Sequence, residues 1–171
     1  AKNLSVFSDL GYFACNKLFK RELFENKRFK KGVHFEDIQL VPQLLLSCKT
    51  LAQTKNYHYQ YLERQDSITK THTEKGLDLL KAVKDVEEVF QKSQYSNEKE
   101  ALKGFWIFEA IYSYLAYLAF VKDDSLYQRM LVELRKVIKE RKISLIEILN
   151  YKRFGKNYLV SLPIKKKVYY L

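Results

Sequence analysis

FWIFEAIYSYLAYLAFV, residues 105–121, is the most apolar stretch of this chain. Only Glu109, Ser113 and the tyrosine hydroxyl groups interrupt its apolar character. Its length is at the short limit for a helix that spans a bilayer, and the Glu109 carboxyl group would be costly in hydrocarbon. The stretch therefore predicts a central helix that is buried on all sides.

Two helical patterns flank this stretch. The apolar stripe before it has helical spacing and consists of Leu77, Leu80, Val83, Val86, Val89 and Phe90. The stripe after it consists of Met130, Leu131, Leu134, Val137 and Ile138. The chain also has only 5 Gly and 2 Pro, which leaves few places for tight turns. We therefore expect a helical, bundle-like unit over residues 73–171.

The earlier part of the chain, residues 1–72, carries shorter patterns. Residues 15–20 alternate well enough for a strand, and residues 50–54 and 57–62 have the pattern of a hairpin. Residues 38–48 have the spacing of a mostly buried helix. The sequence therefore predicts an α+β fold that is predominantly helical, with a small β-sheet or hairpin in the first 65 residues.

Composition restricts the function less than the fold. The formal net charge is +11, and most of it comes from lysine in short runs such as residues 27–31 and 165–167. Such runs are usually solvated faces, and the functional alternative is attraction to anionic lipid or to a nucleotide diphosphate. Cys15 and Cys48 lack metal-ligand spacing, and we expect two free thiols in a reducing compartment.

An acidic pair, Glu36-Asp37, directly precedes the helix predicted over residues 38–48. At the N-cap or in the first turn, the free backbone N–H groups and the helix dipole would stabilise a charged Asp37. A charged carboxylate there could act as a general base if a substrate hydroxyl reaches it. The simpler interpretation is that Asp37 only caps the helix. A metal site that combines the pair with His34 would lack further ligands.

A second candidate site follows the predicted hairpin in Arg64-Gln65-Asp66-Ser67-Ile68-Thr69. The Arg64 guanidinium and the Ser67 hydroxyl suit phosphate oxygens. A turn in which Asp66 and Ser67 bond their own backbone would explain the same residues. The sequence contains no GxGxxG, P-loop, GxSxG or HExxH motif.

The order of the short sequence motifs along the chain is more specific for a protein family than any single motif. Asn-Lys-Leu-Phe-Lys-Arg occupies residues 16–21, and Arg-Phe follows at 28–29. Glu36-Asp37, the tyrosine-rich residues 57–61 and Arg-Gln-Asp-Ser-Ile at 64–68 complete the series. This succession resembles the C-terminal, acceptor-side half of bacterial family 2 glycosyltransferases of the GT-A fold. There the pattern is N/W-K-L-Y/F-K-R, R-F, E-D, Y-Y-Y and R-x-D-S-I.

The resemblance is close from about residue 15 to residue 73 and looser through the helices. It implies that Asp37 is the base that deprotonates the acceptor hydroxyl and that Glu36 orients the acceptor. Arg64 and Ser67 are similar to the loop that approaches the donor diphosphate. The implied reaction is inverting transfer of a sugar from a nucleotide-sugar donor, of the kind used in polysaccharide biosynthesis.

The resemblance also implies parts that this sequence lacks. In the family, a divalent metal, Mn²⁺ or Mg²⁺, is held by a D-x-D motif in the N-terminal, nucleotide-binding half. This chain contains no D-x-D, so we expect no cofactor in it. We expect a chain cut from its nucleotide-binding half to be inactive alone, because positioning and stabilisation of the leaving group would be missing.

The expected partners are a nucleotide-sugar donor and a sugar or lipid-linked acceptor, without nucleic acid. An exposed strand edge would favour a homodimer. The expected location is the cytoplasm, with peripheral contact at the inner face of the membrane. Two alternatives remain open: a basic helical module that binds nucleic acid or an anionic membrane, and a helical interaction domain without catalytic ancestry.

Overall fold

The apolar stretch of residues 105–121 forms the buried centre of the fold, as its sequence predicts. The computed structural model describes residues 4–62 and 71–170. Every residue from 105 to 112 is buried, and Tyr114 and Leu118 are buried as well. Within this stretch Trp106–Ser113 is wound as a π-helix, a wider winding than the α-helix on either side of it.

Helices account for most of the described residues. The α-helices are α1 Ser5–Asp9, α2 Glu36–Ser47, α3 Asp78–Gln91, α4 Lys99–Phe105, α5 Tyr114–Leu118, α6 Asp124–Glu140, α7 Leu145–Asn150, α8 Tyr158–Ser161 and α9 Ile164–Lys167. Short 3₁₀ turns occupy Ala14–Asn16, Arg21–Phe24, Glu74–Leu77 and Val168–Tyr170. The two strands are β1 Lys152–Arg153 and β2 Lys156–Asn157, which pair antiparallel.

The predicted apolar stripes face the core. On α3 the buried side chains include Leu80, Val83, Val86 and Phe90, and α3 packs along α2. On α6 the buried side chains are Met130, Leu134 and Val137. Burial of each large apolar side chain stabilises the fold by about 1.5–3 kcal/mol. Thr73 accepts a hydrogen bond from the Lys75 N–H and caps the turn that leads into α3.

One hydrophobic core includes residues from both sides of residue 72. Phe7 of α1 lies with its ring centroid 5.2 Å from that of Phe90 and 5.1 Å from that of Phe105. Val41 and Leu46 of α2 belong to the same cluster. The N-terminal segment is therefore packed onto the helical region through apolar contacts.

The α+β, predominantly helical class is confirmed, but the position of the sheet was wrong. Within residues 4–62 the structure has no strand; Ala14–Asn16 is a 3₁₀ turn, and residues 49–62 are exposed throughout. The Lys17 ammonium explains part of the difference, because it donates to the Gly11 carbonyl at 2.6 Å and to the Phe13 carbonyl at 2.8 Å. These bonds close a compact loop in place of an extended strand.

The sheet instead lies near the C-terminus of the described chain. Lys152 pairs with Asn157, and Arg153 pairs with Lys156. Phe154 and Gly155 form the turn with φ values of 50° and 74°, the pair of left-handed residues that a two-residue hairpin favours. Across residues 4–62 and 71–170, no helix has the length and apolar character needed to cross a membrane.

Candidate functional site

Asp37 lies in the first turn of α2, as predicted, but it does not act as the N-cap. The N-cap is Phe35, in the left-handed conformation with φ of 62°, and its side chain makes no capping bond. The Phe35 ring contacts Tyr117 edge-on at a centroid distance of 5.8 Å, which fixes the start of α2 against the central helix. The Ile38 N–H donates to Asp37 Oδ1 at 2.8 Å.

Burial raises the pKa of the Asp37 carboxyl. The Ile38 N–H lowers this pKa, the Glu36 charge raises it, and the Lys17 ammonium lowers it. We predicted that the helix start favours the charged form, and the backbone does so. The net pKa shift is nevertheless upward, because the effect of removing the carboxyl from water outweighs the backbone bonds.

The positive charge of Lys17, in the N-terminal loop, acts on Asp37. Its ammonium donates to Asn16 Oδ1 at 2.8 Å as well as to the Gly11 and Phe13 carbonyls. Burial lowers the pKa of Lys17, while the Asp37 charge raises it. An ammonium fixed by carbonyl groups beside a carboxylate provides a preorganised positive charge.

Glu109 is a buried acid that belongs to none of the sequence motifs described above. It lies within the π-helix, and only 4% of it is exposed. Burial raises the pKa of Glu109 to about 7; a hydrogen bond from Ser113 and the Arg153 charge lower it, and the Asp37 charge raises it. The negative charge of Asp37 therefore opposes ionisation of Glu109. The two carboxyl groups therefore influence each other across α2 and the central helix.

Arg153 of β1 packs against the central helix and places its charge near Glu109. Its Nε donates to the Asp9 carbonyl at 3.0 Å, and its guanidinium carbon lies 3.9 Å from the centroid of the Phe108 ring. The neighbouring Tyr151 hydroxyl donates to the Ser8 carbonyl at 3.0 Å. These contacts hold the guanidinium against the central helix, where its charge favours the ionised form of Glu109.

Of the other predicted site residues, the structure describes Glu36 but not Arg64 or Ser67. Glu36 lies beside Asp37 at the start of α2 and is exposed. Arg64 and Ser67 lie outside the described residues, so their predicted role at a donor diphosphate stays a prediction. In residues 4–62 and 71–170 no group of three or more His, Cys, Asp or Glu could hold a metal ion. A metal site of His34, Glu36 and Asp37 is therefore not formed.

Two surface cavities of the described residues lie away from Asp37. One lies between α1 and the end of α2 and is lined by Phe7, Leu46 and Tyr95 among others. The other lies between α3 and the loop that contains Lys30 and Val33. Asp37 lines neither of these two cavities.

Besides the predicted Glu36-Asp37 pair, the candidate site therefore includes Lys17, Glu109 and Arg153, whose charges act on Asp37 or on one another. The available signal for Glu109 was its position as the one charged residue of the apolar stretch 105–121. A lone acid in such a helix needs polar partners when it is buried. Comparison of the chain with protein-family models, curated proteins and solved structures gave no match.

Proposed function

We propose that this chain is the acceptor-side part of an inverting glycosyltransferase, which transfers a sugar from a nucleotide-diphosphate donor to an acceptor hydroxyl. The observation that carries the proposal is the Glu36-Asp37 pair in the first turn of α2. Asp37 is partly buried there, and burial raises the pKa of its carboxyl. A carboxylate whose pKa is raised is a stronger base than a solvated one.

In the proposed reaction, the Asp37 carboxylate takes the proton of the acceptor hydroxyl. The acceptor oxygen forms a bond to the anomeric carbon as the bond from that carbon to the diphosphate oxygen breaks. The electron pair of the broken bond leaves with the nucleoside diphosphate. Attack from the face opposite the leaving group inverts the anomeric centre.

The neighbouring charges support the base role. The fixed Lys17 ammonium favours the ionised form of Asp37. Because burial raises the pKa of Glu109 to about 7, this carboxyl group is protonated in part of the molecules at neutral pH. In those molecules Glu109 adds no second negative charge near Asp37. Glu36 is exposed beside the base, where its carboxylate can accept a hydrogen bond from another acceptor hydroxyl.

Residues of the donor side lie largely beyond the described chain. We assign Arg64 and Ser67 to the donor diphosphate on the basis of the sequence resemblance. The described residues offer no ligand set for a divalent metal, and the sequence has no D-x-D motif. The resemblance places the divalent metal in a nucleotide-binding half outside this chain.

The test uses the enzyme that joins this chain to its nucleotide-binding half. Asp37→Asn should lower the rate of sugar transfer by about 10²–10⁴-fold, because the general base is lost, while nucleotide-sugar binding measured by calorimetry is retained. Asp124→Asn is the matched control, because Asp124 also lies in the first turn of a helix and is exposed. Normal transfer by Asp37→Asn would remove Asp37 from the base role.

A second measurement concerns the 171-residue chain alone. We expect no turnover of any nucleotide sugar, because the leaving group would be neither positioned nor stabilised. The assay compares the chain alone with the longer enzyme at equal concentration. Turnover by the chain alone would contradict its assignment as an acceptor-side part.

A further inference from the structure

The solvent-facing side of helix α7 carries apolar side chains, where a surface helix usually carries polar ones. Leu145 is 68% exposed and Ile146 is 71% exposed, and Leu149, one turn along, is exposed as well. With 3.6 residues per turn, positions i, i+1 and i+4 lie within about 100° of one another around the helix axis. The opposite side is anchored, because Lys103 Nζ lies 2.8 Å from Glu147 Oε1. The helix therefore holds an apolar stripe toward solvent.

Further exposed apolar side chains follow α7 in the hairpin, in α8 and in α9. The Asn157 side chain donates to the Leu149 carbonyl at 2.8 Å and accepts from the Val160 N–H at 3.0 Å. The backbones at Leu149 and Val160 are therefore neighbours. Val160 is 74% exposed, and Phe154 at the hairpin turn and Ile164 at the start of α9 are exposed too. Several exposed apolar side chains within one short segment are typical of an interaction site.

The same segment is strongly basic. Between residues 145 and 168 the basic residues are Lys152, Arg153, Lys156, Lys165, Lys166 and Lys167, and the single acid is Glu147. Glu147 is held by its capping box with Ser144 and by Lys103. The charge available to a partner is therefore positive.

We propose that residues 145–168 bind the surface of an anionic lipid bilayer. Lysine stems can lie along apolar surface while their ammonium groups reach phosphate groups at the bilayer interface. Exposed Leu, Ile, Val and Phe side chains then enter the boundary between headgroups and acyl chains. A single partner, the anionic bilayer, therefore accounts for both the positive charge and the exposed apolar side chains of this segment.

Other partners fit this surface less well. Protein interfaces are depleted in lysine and enriched in arginine and aromatic residues, whereas lysine and aliphatic residues dominate here. A nucleic-acid backbone would attract the lysines but would leave Leu145, Ile146 and Ile164 in water. The proposal does not depend on glycosyl transfer. Of residues 145–168 only Arg153 belongs to the Asp37 site, and its guanidinium is packed against the Phe108 ring.

The test is co-sedimentation of the full chain with vesicles of phosphatidylcholine, alone or mixed with phosphatidylglycerol. We expect binding to the mixed vesicles that weakens as salt is added. Reversal of three charges in Lys165→Glu/Lys166→Glu/Lys167→Glu should lower the partition coefficient by about 100-fold or more. Leu145→Ser/Ile146→Ser/Leu149→Ser should lower the binding that persists at high salt, while circular dichroism stays unchanged.

The matched control reverses three charges elsewhere. Arg135→Glu/Lys136→Glu/Lys139→Glu makes the same change in net charge on α6, where these three side chains are exposed. We expect it to leave most of the binding intact. Absence of binding to the mixed vesicles, or an equal loss in this control, would overturn the proposal. Tighter binding to duplex DNA than to the vesicles at the same salt concentration would overturn it as well.

Discussion

Arg141 Nη2 lies 2.5 Å from Glu87 Oε2, and this ion pair ties the residue after α6 to α3. The Arg141 guanidinium also lies 4.6 Å from the centroid of the Trp106 ring. Glu87 is only 7% exposed, and burial raises the pKa of its carboxyl although the Arg141 charge lowers it. A buried carboxylate in this position depends on its cation.

Replacing Arg141 tests that dependence. Arg141→Gln should lower the free energy of unfolding at pH 7 by about 2–3 kcal/mol, because Glu87 would stay buried without its partner. Arg129→Gln is the matched control, since the Arg129–Glu74 pair is well exposed, and such pairs contribute about 0–1 kcal/mol. Both values come from denaturation in urea. Equal losses in the two variants would show that burial of Glu87 has no special cost.

The buried carboxyl of Glu109 predicts a dependence of stability on pH. Burial raises the pKa of this group from its usual 4.5 to about 7, so between these values the folded state binds more protons than the unfolded state. The free energy of unfolding should therefore fall by about 3 kcal/mol as pH rises through this window. Glu109→Gln should remove most of this fall.

The control for this experiment is Glu140→Gln, because Glu140 is exposed at the end of α6. The measurement is urea denaturation at several pH values between 4.5 and 8. The native chain and Glu140→Gln should give parallel curves, with Glu109→Gln flatter than both. A Glu109→Gln curve with the slope of the native chain would assign the pH dependence to other groups.

Gly76 marks a close approach between the start of the α3 region and the central helix. A Cβ atom there would lie 2.3 Å from Tyr117 Cε1 and 2.7 Å from Met130 Cε. Gly76→Ala should lower the free energy of unfolding by about 1–3 kcal/mol, because the partly buried Tyr117 ring and the buried Met130 side chain must move. Gly11→Ala, whose Cβ would meet only ordinary contacts of 3.5 Å or more, should change stability little. Thermal denaturation of both variants compares the two sites.

Helical periodicity predicted the core better than strand periodicity predicted the sheet. The stripes on α3 and α6 follow from the sequence because each helix makes its own backbone bonds. A strand also needs a neighbour, and residues 57–62 alternate without a paired strand in the described structure. The observed hairpin has strands of only two residues, too short for alternation to reveal, and Gly155 at its turn was the available signal.

The candidate site could be predicted only where its residues are adjacent in the sequence. Glu36 and Asp37 share a motif and a helix start, so local sequence was enough to select them. Arg153 is distant from both in the chain and reaches the region because β1 packs on the central helix. The raised pKa of Asp37 also depends on burial by other elements, which local sequence does not encode.

Residues 49–62 connect two parts of the chain that share one core. Val41 and Leu46 come before this segment, and Leu79 and Val83 come after it, yet all four belong to one apolar cluster. A protease that cuts after the exposed Lys55 would break the chain without removing any of these contacts. The two fragments should therefore co-elute from a sizing column and separate only in denaturant.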